Sequence, residues 1–281
     1  MALMEGLSFL AFEPDLSSAA VLRAYDELPL WSAMFGLLLL DEVPLTDVRM
    51  VLDVGCGTGF PTIELAERLG PGSRVHGIDP WIAALRLAEE KITSRGTPNV
   101  TLHEGSASAM PFADGTFDLI VSNLGVNNFD DRAAAIRECR RVARKGATMA
   151  LTTNLQGHME EFYAIFENVL RNEGDEPALR RLVSHVEHRA TVASVRELLE
   201  RGGFTVTRVV ERKGQMRFAN GTALLNHHFI KLGFLDAWKK VVEGNEPVVF
   251  TKLRARLDDL ARLKGELRLT IPMAYVEASV R

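Results

Sequence analysis

The stretch Val51-Leu52-Asp53-Val54-Gly55-Cys56-Gly57-Thr58-Gly59 decides how this chain folds. An apolar strand runs into three alternating glycines, and a helical pattern follows with apolar residues on one face. Glycine allows positive φ and lets a ligand approach the backbone closely. In open α/β sheets ligands bind at the carboxyl ends of the strands, so this loop predicts a binding site. A tight turn without a ligand is the alternative that the loop alone leaves open.

Short β-rich runs alternate with helical patterns from Val48 onward, which predicts an α/β fold with a mostly parallel sheet and helices on both faces. Several of the strand candidates are nearly continuous apolar runs, as expected for strands buried on both faces. The candidates are Met50–Val54, Arg74–Asp79, Asn99–Glu104, Phe117–Ser122, Ala147–Thr153, Phe204–Glu211 and Leu267–Ala278. We therefore expect three parts: an N-terminal helical cap (1–47), a core (48–153), and a C-terminal segment (154–281) that completes the sheet and carries a helical insertion at about 212–264.

Two acidic residues accompany the glycines. Asp53 is awkward for a pyrophosphate and suits a ligand with an ammonium group. The G-x-G-x-x-G dinucleotide fingerprint also fails, because Phe60 stands at its last glycine position. Asp79 ends the second strand, where an acid can accept both hydroxyls of a ribose. The alternative for Asp79 is a helix N-cap with Pro80 at the first helical position.

Further segments follow the next strands at the same edge of the sheet. Gly105-Ser106-Ala107 lies just after the third strand and could face an adenine, and Asn123-Leu124 leaves the fourth. Trp81 either covers one edge of a nucleoside or packs on the core. Each signal is weak alone, and their order along the chain makes the set specific.

In this order the segments resemble the class I S-adenosylmethionine-dependent methyltransferases, in particular the type 11 small-molecule group. The resemblance covers roughly Tyr25 to Thr153. The residues that carry it are Val51–Gly59, Gly77–Asp79, Gly105–Ala107, Pro111–Asp118 and Arg141–Gly146. It implies a seven-stranded sheet of order 3-2-1-4-5-7-6 with the seventh strand antiparallel. It also implies S-adenosylmethionine as the cofactor and S-adenosylhomocysteine as the product.

The resemblance further implies which residues bind the cofactor. These are Asp53, Gly55, Cys56, Gly57, Thr58 and Gly59 for the methionine part; Asp79 for the ribose diol, with Pro80 and Trp81; Ser106 and Ala107 for the adenine; Asn123 and Leu124 beside the sulfonium; and Tyr25 near the carboxylate. The chain departs from the family in two places. Many relatives have an acid at or beside Ser106, and Pro272 stands inside the last strand, which must then begin after it or contain a bulge.

The sequence indicates the methyl acceptor less clearly than the cofactor. Transfer from an activated sulfonium depends mainly on alignment and needs no obligatory base. The catalytic residue is therefore not identified, and the candidates are His228, His227 and Asn154. The acceptor-side candidates are Trp31, Asn127, His158, Arg217 and His228. We expect a mostly apolar acceptor with one polar or anionic handle, roofed by the segments Tyr25–Phe35 and Thr222–Val242.

Composition limits the partners. The 281 residues have a formal net charge of -4, which argues against a general nucleic-acid binder. The basic side chains of Arg132–Lys145 are therefore interpreted as a solvated helix face. The two cysteines do not form a disulfide framework, and the first basic residue is Arg23, so we expect a cytoplasmic protein. The apolar run Leu30–Leu40 is shorter than the about 20 residues of a membrane span.

No metal is expected either. His185 and His188 have helical spacing but no third ligand, so a solvated helix face is favoured. The leading hypothesis is an enzyme that methylates a small molecule. A methyltransferase acting on RNA or protein, and a nucleoside-binding module without transferase activity, are the alternatives.

Overall fold

The strands of this chain form one seven-stranded sheet. The computed structural model describes residues 7–15, 17–27 and 30–280. The strands are β1 (Met50–Val54), β2 (Arg74–Asp79), β3 (Val100–Glu104), β4 (Phe117–Asn123), β5 (Ala143–Asn154), β6 (Thr205–Phe218) and β7 (Leu267–Ser279). Their order is β3-β2-β1-β4-β5-β7-β6. The first five strands are all parallel to their neighbours among themselves, and β7 is antiparallel to β5. The expected strand order and orientation are confirmed.

The described helices precede β1 or lie in the connections between strands. They are α1 (Ala19–Glu27), α2 (Leu30–Glu42), α3 (Thr62–Leu69), α4 (Ile82–Arg95), α5 (Arg132–Val142), α6 (Glu160–Glu173), α7 (Glu176–Glu187), α8 (Val192–Arg201), α9 (Gly221–Asn226), α10 (His228–Gly233), α11 (Leu235–Val242) and α12 (Glu246–Lys264). Residues 1–6, 16, 28–29 and 281 lie outside the described residues. They include the first residues of the predicted cap and the last residue of the predicted C-terminal segment. No described helix combines the length and the apolarity needed to cross a membrane.

Two helix starts differ from expectation. A proline after the glycine loop suits the first position of a helix, but Pro61 instead occupies the N-cap of α3. Trp81 is the N-cap of α4, so the alternative role of Asp79 as the N-cap of this helix, with Pro80 at its first helical position, is not observed. Instead, the Asp79 carboxylate accepts the Trp81 N–H two residues on, at 2.8 Å. This local turn uses the short acidic side chain, as Asp commonly does before a helix.

The segment Thr222–Val242, which the sequence predicts as one helix, is divided into α9, α10 and α11. His227 has φ -64 and ψ 130, an extended conformation that ends α9 before α10 begins. β6 also continues to Phe218, so the helical insertion begins at Gly221. Apolar spacing is maintained across these breaks, which explains why periodicity alone does not detect them.

Pro272 lies within β7 without disturbing the ladder to β5. The described pairing starts immediately after it, at Met273 opposite Asn154, and runs to Ser279 opposite Thr148. The Pro272 carbonyl accepts the N–H of Leu155 at 3.0 Å. Proline lacks an N–H, and here it stands where β5 has ended, so that donor is not required by the pairing.

Two compact units are distinguished by their internal contacts. The sheet unit comprises Leu22–Asn154, Ala190–Arg212 and Met273–Arg281, and the helical unit comprises Met1–Val21, Leu155–Arg189 and Lys213–Pro272. The predicted core (48–153) falls wholly in the sheet unit. The predicted cap (1–47) is divided at Val21, and α2 belongs to the sheet unit, where it contacts β4 and β5.

Gly77 allows β2 to lie close to the glycine loop. A Cβ at this position would lie 2.8 Å from Cys56 Sγ and 2.9 Å from Leu102 Cδ2. We expect Gly77→Ala to lower the free energy of unfolding by ~1–3 kcal/mol, the usual effect of overpacking a core. Urea unfolding measures this, and Gly72→Ala is the control, because a Cβ there meets nothing within 4 Å. Equal stability of the two variants would contradict the predicted close contact.

Candidate functional site

The glycine loop leaves β1 with its backbone turned toward open space. Gly55, Gly57 and Gly59 have φ of 81, 51 and 96, values that side-chain-bearing residues rarely adopt. A Cβ at Gly57 would meet nothing within 4 Å, whereas at Gly55 it would lie 3.1 Å from Gly125 Cα. The Gly55 N–H donates to the Ile78 carbonyl at 2.9 Å and ties the loop to β2. A ligand can therefore approach the backbone at Gly57.

Asp79, at the end of β2, reaches into this loop. One carboxylate oxygen accepts the N–H of Gly57 at 2.9 Å, and the other accepts the N–H of Trp81. Asp79 is 9% exposed, so it is largely shielded from water. A carboxylate oxygen offers two lone pairs, and each oxygen keeps one for a further donor. The arrangement fits a pair of vicinal hydroxyls.

Asp53 is an acid that forms no ion pair with the described residues. It is fully buried at the end of β1, and Oδ2 accepts the Thr62 hydroxyl at 2.6 Å. Oδ1 is buried and has no hydrogen-bond partner among the described residues. Burial raises the pKa of this carboxyl to about 7; the Thr62 hydrogen bond lowers it, and the Asp79 charge raises it further. Such a group favours a positively charged ligand, which would relieve the desolvation of the anion.

Tyr25 and Trp81 meet beside the end of β2. Their ring centroids are 5.9 Å apart at an interplanar angle of 61°, an edge-on contact. Leu22 of α1 packs with Ala84 and Leu87 of α4, and Trp81 joins this cluster. The packing of α1 on α4 therefore places the two aromatic residues that the sequence assigns to the cofactor next to each other.

The end of β3 is held against the end of β2. The Gly105 N–H donates to the Asp79 carbonyl at 3.2 Å. Ser106 is exposed, and its hydroxyl oxygen accepts the Ser108 N–H while its carbonyl accepts the Ala109 N–H, both at 3.2 Å. The predicted adenine segment is thus a tight local turn beside the acid of β2.

A chain of amides and hydroxyls lies at the carboxyl ends of β4 and β5. Asn123 donates from its amide to the Ser32 carbonyl at 3.0 Å and accepts the Thr152 hydroxyl at 2.7 Å. Leu124 has φ 64, a costly conformation for a residue with a side chain, and its N–H bonds to the Thr152 carbonyl. Strained backbone of this kind occurs preferentially at functional sites.

Asn127 extends this set. Its amide nitrogen donates to Asn154 Oδ1 at 2.9 Å, and its amide oxygen accepts the Thr153 hydroxyl at 2.6 Å. Both asparagines are partly buried and neither is ionisable. Asn127 and Asn154, predicted separately as acceptor and catalytic candidates, are therefore one hydrogen-bonded pair.

The remaining acceptor candidates are distributed between the units. Trp31 lies in α2 of the sheet unit, with its ring 4.9 Å from that of Phe35. In the helical unit, His158 is buried against Phe234, and burial lowers its pKa well below the usual value, with smaller contributions from Arg189 and His185. Arg217 forms an exposed ion pair with Glu266 at 2.6 Å.

His227 and His228 also belong to the helical unit. The ring of His227 lies edge-on to Phe218, and the ring of His228 lies edge-on to Phe12. Each has one buried ring nitrogen, Nδ1 of His227 and Nε2 of His228, without a hydrogen-bond partner among the described residues. Burial lowers the pKa of His227, which favours its neutral form.

Sequence reasoning missed several polar partners. Thr62, Thr152 and Thr153 orient site residues through their hydroxyls, and none belongs to a recognisable motif. His185, interpreted from sequence as part of a solvated face, instead bonds to Tyr163 at 3.1 Å, and burial lowers its pKa to about 4. Within the described residues, no group of three or more potential metal ligands occurs.

The sequence of this chain matches those of known methyltransferases. The profile of a family described as "Methyltransferase domain" matches residues 46–214. The demethylmenaquinone methyltransferase of Anoxybacillus flavithermus is 37% identical over 123 residues, which are 42% of this chain and 52% of that protein. The chain thus spans about half the length of this curated relative. The demethylmenaquinone methyltransferase of Listeria monocytogenes serotype 4a is 31% identical over 173 residues, 58% of this chain and 73% of that protein.

A solved structure agrees in fold. A SAM dependent methyltransferase from Aquifex aeolicus superposes with a TM-score of 0.54 at 23% identity, covering 69% of this chain and 92% of that one. At this identity the likeness concerns the fold alone.

The raised pKa of Asp53 predicts how stability varies with pH. An unfolded Asp has a pKa near 3.9, so between about pH 4 and about pH 7 the folded chain binds more protons than the unfolded chain. From about pH 4 to about pH 7, the free energy of unfolding of the ligand-free protein should therefore fall relative to that of Asp53→Asn, by at most about 1.4 kcal/mol per pH unit.

Denaturant unfolding at a series of pH values measures this difference. Asp130→Asn removes an exposed acid of the same unit and is the control for loss of one negative charge. Parallel pH profiles for the wild type and Asp53→Asn would contradict a raised pKa at Asp53.

Proposed function

As a member of the class I S-adenosylmethionine-dependent methyltransferase family, this chain is an enzyme that uses S-adenosylmethionine as its methyl donor, and we propose that its acceptor is a small oxygenated aromatic ring. The observation that carries the proposal is the pair Asn127–Asn154, two neutral amides held at the carboxyl ends of β4 and β5. The curated relatives that act on demethylmenaquinone support a quinone-like acceptor.

The residues of the sheet unit fit the cofactor. The open backbone at Gly57 and the unpartnered oxygen of Asp53 suit the methionine part with its ammonium group. Asp79 would accept the ribose hydroxyls, with Pro80, Trp81 and Tyr25 alongside. The remaining assignments are Gly55, Cys56, Thr58 and Gly59 along the loop, Ser106 and Ala107 at the adenine, and Asn123 and Leu124 at the sulfonium.

Methyl transfer forms a bond from the methyl carbon to the acceptor and breaks the carbon–sulfur bond, leaving a neutral thioether. An acceptor that begins as a phenol or quinol also loses its proton, which would pass to water or to one of the candidate bases, His227 or His228. Neutral amide N–H groups can stabilise the resulting oxyanion by hydrogen bonds. Since Thr153 fixes the Asn127 amide and Asn127 bonds to Asn154, the two amides can orient such an oxygen. Alignment of acceptor and methyl then supplies much of the rate.

The other acceptor candidates remain part of the proposal. Trp31 offers an aromatic surface, and His158, Arg217 and His228 offer polar groups, with His227 and His228 as candidate bases. A cytoplasmic location and the lack of a nucleic-acid or membrane partner stay predictions from sequence. RNA or protein is the alternative acceptor, and a screen of several acceptor classes would detect methyl transfer to it.

Asp79 should govern cofactor affinity. We expect Asp79→Ala to weaken S-adenosylhomocysteine binding by ~1–3 kcal/mol, since charge-assisted hydrogen bonds to the ribose are lost. Calorimetric titration measures the affinity, and Glu89→Ala, an exposed acid on α4, is the control. An unchanged affinity in folded Asp79→Ala, or a preference of the wild type for NAD, would refute the assignment.

The acceptor screen tests the proposed substrate class. Formation of S-adenosylhomocysteine is measured with reduced naphthoquinones lacking a ring methyl, catechols, small amines, RNA and a protein extract. We expect transfer to the aromatic hydroxyl compounds. Asn127→Ala and Asn154→Ala should each raise KM for the acceptor about tenfold, the effect of losing one hydrogen bond of about 1.4 kcal/mol.

The same variants should leave the affinity for S-adenosylhomocysteine unchanged. Asn172→Ala is the matched control, because Asn172 is exposed on α6 and bonds only to Asn168 among the described residues. Transfer confined to RNA or protein, or unaltered acceptor kinetics in both variants, would overturn the proposed acceptor class.

A further inference from the structure

Arg141, near the end of α5, makes an unusually complete set of hydrogen bonds. Nε and Nη2 both donate to the Glu138 carboxylate at 2.8 Å, and Nη2 also donates to the Met110 carbonyl at 3.0 Å. Nη1 donates to the Phe112 carbonyl at 2.7 Å and to Asp114 at 2.8 Å. The interpretation of this arginine as a solvated residue is therefore wrong. Its contacts are mostly to backbone and carboxylate of a single segment, 105–116.

Glu138 completes the connection. Its Oε2 accepts the Met110 N–H at 2.8 Å, so the Arg141–Glu138 pair holds both the carbonyl and the N–H of Met110. The hydrogen bond from Arg141 lowers the pKa of Glu138 and keeps it ionised. Charge-assisted bidentate pairs of this kind are among the stronger and more directional hydrogen bonds in proteins.

The same helix end holds the far side of the segment. The last carbonyls of α5, at Arg141 and Val142, accept the N–H groups of Gly115 and Thr116 at 2.9 and 2.7 Å. At its near side, Gly105 bonds to the end of β2, and Ser108 donates a longer bond of 3.4 Å to the Asp131 carbonyl. The segment is therefore anchored mainly from Met110 onward, by α5.

The position of the segment 105–116 would affect how the proposed site binds adenine. In the proposed cofactor site, Ser106 and Ala107 would stand where many relatives have an acid that bonds the adenine amino group, so recognition would rest on backbone groups and one hydroxyl. A backbone N–H or carbonyl cannot adjust its aim as a long side chain can. Its contribution to binding depends on where the segment is held.

We infer that Arg141, with Glu138, is a positioning residue that sets the adenine specificity of the cofactor site through the segment 105–116. This inference rests on the proposed function, in which Ser106 and Ala107 face the adenine. Arg141 itself touches no part of the cofactor in this scheme. Its effect is therefore on the discrimination between bases and not on the methionine end of the site.

The test compares two ligands that differ only in the base. Binding of S-adenosylhomocysteine and of S-inosylhomocysteine, in which an oxygen replaces the adenine amino group, is measured by calorimetry. The wild type should prefer the adenine compound. Arg141→Lys keeps the charge but cannot form the bidentate contact, and we expect it to bind the adenine compound about tenfold more weakly and the inosine compound nearly as before.

Arg144→Lys is the matched control, because Arg144 pairs with Asp118 and makes no described contact to the segment. It should preserve the wild-type preference. Glu138→Gln should reduce the preference in the same direction by a smaller factor, which guards against misfolding of Arg141→Lys. Amide hydrogen exchange over residues 106–112 should accelerate in Arg141→Lys and not in the control.

Each result decides the inference. If the wild type binds neither compound, the proposed cofactor site fails and this inference fails with it. If the wild type prefers adenine and folded Arg141→Lys keeps both affinity and preference, the proposed function stands and the positioning role is refuted. An equal loss for both compounds would refute it as well, because that is the result of general destabilisation.

Discussion

The hydrogen bonds that Asp79 accepts are the interactions on which the geometry of the site depends. The carboxylate joins the end of β2 to the glycine loop at Gly57 and to the start of α4 at Trp81. This junction is possible because Gly77 lets Cys56 pack directly on β2. Since β1 and β2 pair in parallel, both strands present their carboxyl ends here, and one short side chain can fix three elements at once. Any ligand bound here would meet a loop that is already ordered.

The two acids of the site differ because their surroundings differ. Asp79 is compensated by two backbone N–H groups, whereas Asp53 is fully buried with one hydroxyl donor. Burial raises the pKa of Asp53, and the nearby charge of Asp79 adds to the effect. An anion in this position is stabilised most by a cation that arrives with the ligand. The chemistry of a sulfonium cofactor with an ammonium group agrees with this requirement.

Two further hydrogen-bonded networks lie away from these acids. At the ends of β4 and β5, amides and hydroxyls bond to one another and leave no ionisable group among them. In the helical unit the Tyr163 hydroxyl accepts from Trp238 Nε1 at 3.1 Å and from Arg189 at 3.0 Å, within an aromatic core. Buried polar atoms of this kind are retained at low cost only when they are partnered. The two networks therefore provide hydrogen-bond partners for the polar side chains of Asn127, Thr152 and Tyr163.

The features of this chain that depend on neighbouring residues can be predicted from the sequence alone. The run Val51–Gly59, with its following helix, specifies strand, loop and helix, and the family resemblance supplies the strand order. Contacts between distant residues become visible only in the folded chain. Examples are Asn127 with Asn154 and Arg141 with Met110, which lie 27 and 31 residues apart. The breaks within Thr222–Val242 belong here too. Local propensity and periodicity act over one or two turns, whereas the partner of a side chain is set by how the elements pack, and packing is a property of the whole chain.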